Sequence, residues 1–135
     1  MVIVWFKRDL RLLDHEPLVK AIASGEKVLL LYGFEPLWVN DSHYREKHIN
    51  FIKQSLNDLQ RQLESYDTSI LIVKEEILSV FHSLHKHEKI TAIYSYQETG
   101  MKMTYQRDKL VSKWCKEQHI TREESSQNGV FIGIK

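Results

Sequence analysis

The sequence holds 135 residues, 42% hydrophobic and 27% charged, the ordinary proportions of one soluble globular domain. Its 19 basic and 18 acidic residues leave a net charge of +1, which excludes a global electrostatic pull toward nucleic acid or membrane. One cysteine, Cys115, excludes an internal disulfide and points to a reducing cytoplasm, and a chain of this length buries roughly two-thirds of its unfolded surface without staples.

Val2 to Phe6 is a continuous apolar run, as expected for a strand buried on both faces, and too short for a signal peptide or a membrane span. The charged stretch Lys7 to Asp14 follows. Pro17 suits the first turn of a helix with Glu16 or Asp14 as its cap, and Gly25 closes it. Val28 to Tyr32 reads as a second buried strand, after which Glu35-Pro36 opens a loop reaching Asp41-Ser42. The longest helix is expected from about Tyr44 to Glu64, with Ile49, Ile52, Leu56, Leu59 and Leu63 on one face. Ile70 to Val73 is a third strand, followed by a helix carrying Ile77, Phe81 and Leu84. Ile90 to Tyr94 is a fourth strand. A helix near Met103 to Gln118 turns Leu110, Val111 and Trp114 inward, and Ile120 begins a weak fifth strand whose Glu123 and Glu124 suit a sheet edge.

Strands that are β-branched rather than alternating, interleaved with helices, predict an α/β fold. We expect a five-stranded parallel sheet with helices on both faces, a Rossmann-like three-layer sandwich in one domain over residues 1–135. Ligands of such sheets bind beyond the carboxyl ends of the strands, where strand order reverses. The segments after Phe6, Phe34 and Tyr94 are therefore the ones to read for function.

The first of these, Lys7-Arg8-Asp9-Leu10-Arg11, has none of the glycines that let backbone N–H groups approach a phosphate. Its guanidinium and carboxylate groups could face a polar ligand edge or pair among themselves as a structural network. After Tyr94, Gly100 supplies a flexible turn, and Gln97 and Glu98 would project from the sheet edge. Glu98 could accept from the amino-pyrimidine edge of a pterin or from a flavin ring, or stand as a solvated acid.

His82, His85 and His87 cluster without the further ligands of a zinc site and read as a solvated helix end. Cys115, beside Trp114 on an apolar helix, reads as a buried inert thiol. Trp5, Trp38 and Trp114 are dispersed and read as core. No Ser-His-Asp or paired-carboxylate arrangement falls on the right loops, so no catalytic or metal-binding residue is expected.

The run Val4-Trp5-Phe6-Lys7-Arg8-Asp9-Leu10-Arg11-Leu12-Leu13-Asp14-His15-Glu16-Pro17-Leu18 resembles the opening signature of the DNA photolyase/cryptochrome family. Phe34-Glu35-Pro36, Phe51-Ile52 with Ser55-Leu56 and Asp58-Leu59, Arg107-Asp108, and Asn128-Gly129-Val130 are similar to later family segments, in order, so the resemblance covers essentially the whole chain. It departs from the family pattern at His48 and Asn50, and at Glu98 to Met103.

The resemblance implies the N-terminal antenna-binding domain of a light-dependent DNA-repair photolyase, or of a cryptochrome-type signalling relative. It implies that the C-terminal helical FAD-binding domain is absent from this chain, which alone would carry no cofactor and no catalysis. The parent would hold FAD and an antenna pigment (a folate, deazaflavin or flavin) and would meet damaged DNA. Arg8, Asp9, Phe34, Glu35, Gln97 and Glu98 are carried over as cleft-lining, cofactor-binding residues. The partners implied are the missing FAD domain and, through the parent, damaged DNA, with no membrane. A phosphoacceptor receiver domain fails because Lys74 follows Val73 and basic residues follow Phe6. A nucleotide-binding domain lacks its glycine loops, and a non-catalytic scaffold is the remaining alternative.

Overall fold

The computed structural model describes residues 1–36, 46–98 and 102–126; Trp38, Asp41-Ser42, Tyr44, Gly100 and Asn128 to Val130 lie outside these. Elements follow in the order β1 (Val2–Phe6), α1 (Glu16–Ala23), β2 (Val28–Gly33), α2 (Glu46–Glu64), β3 (Ile70–Val73), α3 (Ile77–His87), β4 (Ala92–Tyr96), α4 (Lys102–Glu117) and β5 (Thr121–Ser125). The strands form one parallel sheet in the order β3-β2-β1-β4-β5. The chain builds outward from β1 through β2 to β3, then returns to the other side of β1 for β4 and β5. Strand order therefore reverses between β1 and β4, as the fold class requires of a binding edge.

β1 is central, which explains its unbroken apolar run: every one of its residues is buried. Val2, Val4 and Phe6 join a core closed by Ala21 of α1 and by Leu56, Leu59 and Leu63 of α2. Ile3 and Trp5 point the other way, into a core closed by Ile77, Val80 and Phe81 of α3 and by Val111, Trp114 and Cys115 of α4. Each fully buried Val, Leu, Ile or Phe side chain among them contributes roughly 1.5–3 kcal/mol by leaving water. The predicted stripe of α2 is the one that packs, with Ile49 and Ile52 partly buried against the same core.

Several local expectations need correction. β4 starts two residues later than predicted, at Ala92, because Ile90 donates its N–H to His85 Nδ1 at 3.0 Å and Thr91 donates to the Met1 carbonyl at 2.8 Å. Ser95 and Tyr96 consequently belong to the strand, opposite Glu124 and Ser125 of β5. The cap of α1 is His15, not Glu16 or Asp14. Leu110 is exposed, since Val111, Trp114 and Cys115 already occupy the inward face of α4. Gly25 does end α1 in the left-handed region, at φ 75°. β5 is an edge strand, as its acidic residues suggested. No helix among the described residues is long and apolar enough to cross a membrane.

Candidate ligand cavity at the carboxyl edge of the sheet

Immediately after β1 the chain bends around Asp9. Its carboxylate accepts the Lys7 N–H at 3.0 Å, and its carbonyl accepts the Arg11 N–H at 2.8 Å. Asp9 Oδ2 also meets His15 Nε2, with both side chains fully buried. His15 Nδ1 accepts the Leu18 N–H at 3.1 Å, so that nitrogen carries a lone pair and the ring proton sits on Nε2, donated to Asp9. The imidazole lies between the rings of Phe6 (4.7 Å) and Tyr96 (5.0 Å). Tyr96 Oη accepts the Glu16 N–H and donates to the Asp14 carbonyl, each at 3.1 Å. The partner of Asp9 is thus a histidine, rather than Arg8 or Arg11. Leu10 and Leu12 anchor the segment on the core, whereas Leu13 is exposed.

Arg107, on the first turns of α4, ties the other loops together. Its Nη1 donates to Glu35 Oε1 at 2.7 Å, its Nη2 to Glu98 Oε1 at 2.7 Å, and its Nε and Nη2 to Asp108 Oδ1 at 3.1 and 3.0 Å. Asp108 Oδ2 accepts from Lys7 Nζ at 3.1 Å, and Glu98 Oε2 pairs with Arg8 Nε at 3.1 Å. Glu35 Oε2 accepts the Ile77 N–H at 3.2 Å, so a residue after β2 caps α3 from outside that helix. Burial pushes the Glu35 carboxyl up against the opposing pull of Arg107. It also pushes the Lys7 ammonium down, more than Asp108 restores. Burial would likewise lower Arg107, but Glu35, Asp108 and Glu98 outweigh it and hold the guanidinium above its usual value.

Above this network opens a cavity of about 650 Å³, lined by Trp5, Phe6, Tyr32 and Phe51 among the aromatics and by Lys7, Arg8, Arg11 and Arg107 among the cations. Small-molecule sites are typically roughly 300–1,000 Å³, apolar-walled, with a few fixed polar groups. The lining fits a flat conjugated ring with a polar edge: the exposed Phe51 ring to stack on, a floor backed by Trp5, Phe6 and Tyr32, and charges at one rim. His48, Phe51 and Ser55 recur at three- and four-residue steps beside the packed stripe of α2, which makes a second, cavity-facing row. Phe51 is 68% exposed although it is a large aromatic, and it borders the cavity.

The structure brings Arg8, Glu35 and Glu98 to this cavity. Asp9 sits beneath it on His15; Phe34 packs into the core, edge-on to Tyr32 at 5.1 Å; Gln97 is exposed, its N–H on the Ser125 carbonyl at 2.8 Å. Both oxygens of Glu98 are engaged by Arg107 and Arg8, so the carboxylate acts as a strut of the rim. Lys7, Arg107, Tyr32, Phe51 and Ser55 were not singled out as lining residues. The signal for Phe51 was available: an aromatic standing off the apolar stripe of its helix. Among the described residues no cluster of His, Cys, Asp or Glu could hold a metal. His85 is spent on Ile90 and on the edge of Trp114 at 5.7 Å. Cys115 is buried, with burial pushing its thiol up to about 11.

The DNA photolyase family profile matches residues 2–132. The cryptochrome DASH of Solanum lycopersicum, chloroplastic/mitochondrial by name, is 34% identical over 105 residues, 73% of this chain and 18% of its own. The cryptochrome DASH of Gloeobacter violaceus is 30% identical over 79% of this chain and 23% of its own. The crystal structure of the Synechocystis cryptochrome superposes with a TM-score of 0.85 at 25% identity, over 93% of this chain and 27% of that one. An archaeal photolyase from Sulfolobus tokodaii, solved with two FAD molecules, shares the fold at a TM-score of 0.81 and 23% identity, over 93% of this chain and 29% of that one. The chain spans about a fifth of the length of the curated relatives it matches.

Proposed function

The chain belongs to the DNA photolyase family as its N-terminal α/β domain, and from that premise we propose that its cavity holds the antenna pigment of a larger flavoprotein. The observation that carries this reading is the aromatic-walled space of about 650 Å³ beyond β1 and β2, beside the point where strand order reverses. Phe51 would face the ring system, the nearly buried Trp5, Phe6 and Tyr32 would back the floor of the space, and Arg8 and Arg11 would meet the polar edge. A bound pigment supplies light absorption; the protein supplies position, exclusion of water and a fixed charge pattern. Glu35 and Glu98 act indirectly, by holding Arg107 and Arg8 in place. The catalytic FAD and the damaged base would belong to a further, helical part of the whole protein, a reading supported by the chain's covering only about a fifth of its relatives' length.

DNA repair is the activity proposed for the whole protein, as a deoxyribodipyrimidine photo-lyase. The near-neutral charge of this domain supports leaving DNA contact to the other. Blue-light signalling is the second reading, since relatives named cryptochromes stand beside photolyases among the matches. A reducing compartment suits the single buried cysteine, and we place the protein in the cytoplasm on that ground.

The test is a titration of the pigment-free chain with lumiflavin, a deazaflavin and methenyltetrahydrofolate, followed by fluorescence anisotropy. At least one should bind saturably, and Ser55→Trp, which fills the cavity from α2, should abolish binding while leaving the melting temperature near wild type. Binding unaffected by Ser55→Trp would remove the pigment from this cavity.

A further inference from the structure

A pigment in this cavity would lie beside an indole that is almost wholly buried. Trp5 lines the space and is otherwise buried, and a ring row leads away from it. Trp5 meets Phe81 edge-on at 5.3 Å, Phe81 stacks on Trp114 at 6.3 Å, and Trp114 meets His85 at 5.7 Å. Indole is the most easily oxidised uncharged side chain, and an excited pigment is a strong oxidant. One electron leaving the indole π system for the hole created by excitation would give an indole radical cation and a one-electron-reduced pigment. The electron would then return and the photon's energy would end as heat.

The surroundings of Trp5 oppose that step. Lys7 Nζ stands 4.3 Å from its ring centroid, the Arg107 guanidinium 4.7 Å and the Arg122 guanidinium 5.4 Å. Three cations on one indole far exceed what packing needs. Lys7 and Arg107 have carboxylates at 2.7–3.1 Å. Arg122 is the least compensated: buried Nε and Nη2 have no hydrogen-bond partner, and Glu124 stands 3.6 Å off. Its placement is costly and serves no described ion pair of the cavity rim.

We infer that Lys7, Arg107 and Arg122 insulate Trp5 against one-electron oxidation, so that an excited pigment in the cavity keeps its energy for transfer. The inference rests on the pigment reading of the cavity. A radical cation at Trp5 would share its space with three cations, of which Arg122 is the one that carboxylates offset least. One charge about 5 Å away, at an effective dielectric constant near 20, shifts such an equilibrium by on the order of a hundredfold. Arg122, outside the cavity, is a positioning residue for the field, and its removal leaves the lining intact.

The experiment measures the fluorescence lifetime of lumiflavin bound to wild type, Trp5→Phe, Arg122→Lys, Arg122→Met and Arg122→Met/Trp5→Phe, after anisotropy has shown binding to each. Wild type and Arg122→Lys should match Trp5→Phe within about twofold, whereas Arg122→Met should decay roughly tenfold faster and the double variant should recover. A wild type already quenched roughly tenfold relative to Trp5→Phe would overturn the inference, as would an Arg122→Met lifetime equal to wild type. Failure of lumiflavin, a deazaflavin and methenyltetrahydrofolate alike to bind would instead count against the cavity reading. Insulation is then read without pigment, by square-wave voltammetry of a Trp38→Phe/Trp114→Phe chain, in which Trp5 alone remains. Arg122→Met should make that indole easier to oxidise, and an unchanged potential would overturn the inference.

Discussion

Asp9 is the residue on which the loop after β1 depends. It accepts from Lys7 N–H and from His15, and His15 in turn caps α1. Asp9→Ala leaves a buried ring N–H and a backbone N–H unpaired, which should cost about 3 kcal/mol or more, against about 0–1 for an exposed loop acid. Asp9→Asn retains an acceptor and should lose less, about 1–2 kcal/mol. Urea melts of both variants check this. That Asp9 mattered was readable from its place after a strand buried on both faces and before leucines able to anchor the loop; that its partner is His15 was not. The pairing needs Asp14 in the left-handed region at φ 50°, a turn with no glycine to announce it. Cys115 offers a pH test. Its thiol rises from 9.0 to about 11 in the fold because burial penalises the thiolate, with Arg122 opposing. The unfolded thiol ionises first, so this stability is whole below about pH 9 and is lost as pH climbs toward 11, up to about 3 kcal/mol. Cys115→Ala should remove that segment of the stability–pH curve, from a lower starting point.

Among the elements, β3 carries a specific risk: it is an edge strand with Leu71 and Ile72 partly exposed. The side-chain amide of Gln60, on α2, covers it as a neighbouring strand would. Its Nε2 donates to the Ile70 carbonyl at 2.9 Å, and its Oε1 accepts the Ile70 N–H at 3.0 Å. Gln60→Ala should cost about 1–2 kcal/mol and raise light scattering on storage, whereas loss of stability without association would mean the edge needs no cover. The strands and helices themselves were legible, because apolar runs and three- to four-residue steps are local signals. The α2 stripe and the α/β alternation stand as read. The start of β4 was not, since Ile90 is as apolar as the strand and only its bond to His85 excludes it. Leu110 was misassigned because several faces of α4 carry an apolar residue, and only the packed structure decides between them.

The molecule as a whole is two cores on one sheet, joined at its carboxyl edge by a charge network that no periodicity could reveal. Glu35 and Arg107 lie 72 residues apart, and Lys7 and Asp108 lie 101 apart. Such pairs follow from topology, which brings the ends of β1, β2 and β4 under the first turns of α4. The expected edge was found because strand order fixes it, whereas three of the six residues expected there face elsewhere, because side-chain direction depends on the last residue of each strand. Gln97 illustrates the point: with β4 extended through Tyr96, it falls outside the rim. The charge network, the aromatic walls and the space between them make one arrangement, and its central claim is that a pigment occupies that space. Amide chemical-shift mapping of the isotope-labelled chain, on adding lumiflavin, tests this most directly. The account predicts saturable shifts concentrated at Phe6 to Arg11, Tyr32 to Glu35 and His48 to Ser55, with β3 and the far end of α3 unmoved. Shifts centred away from those three segments, or none at saturating lumiflavin, deazaflavin and folate alike, would contradict it.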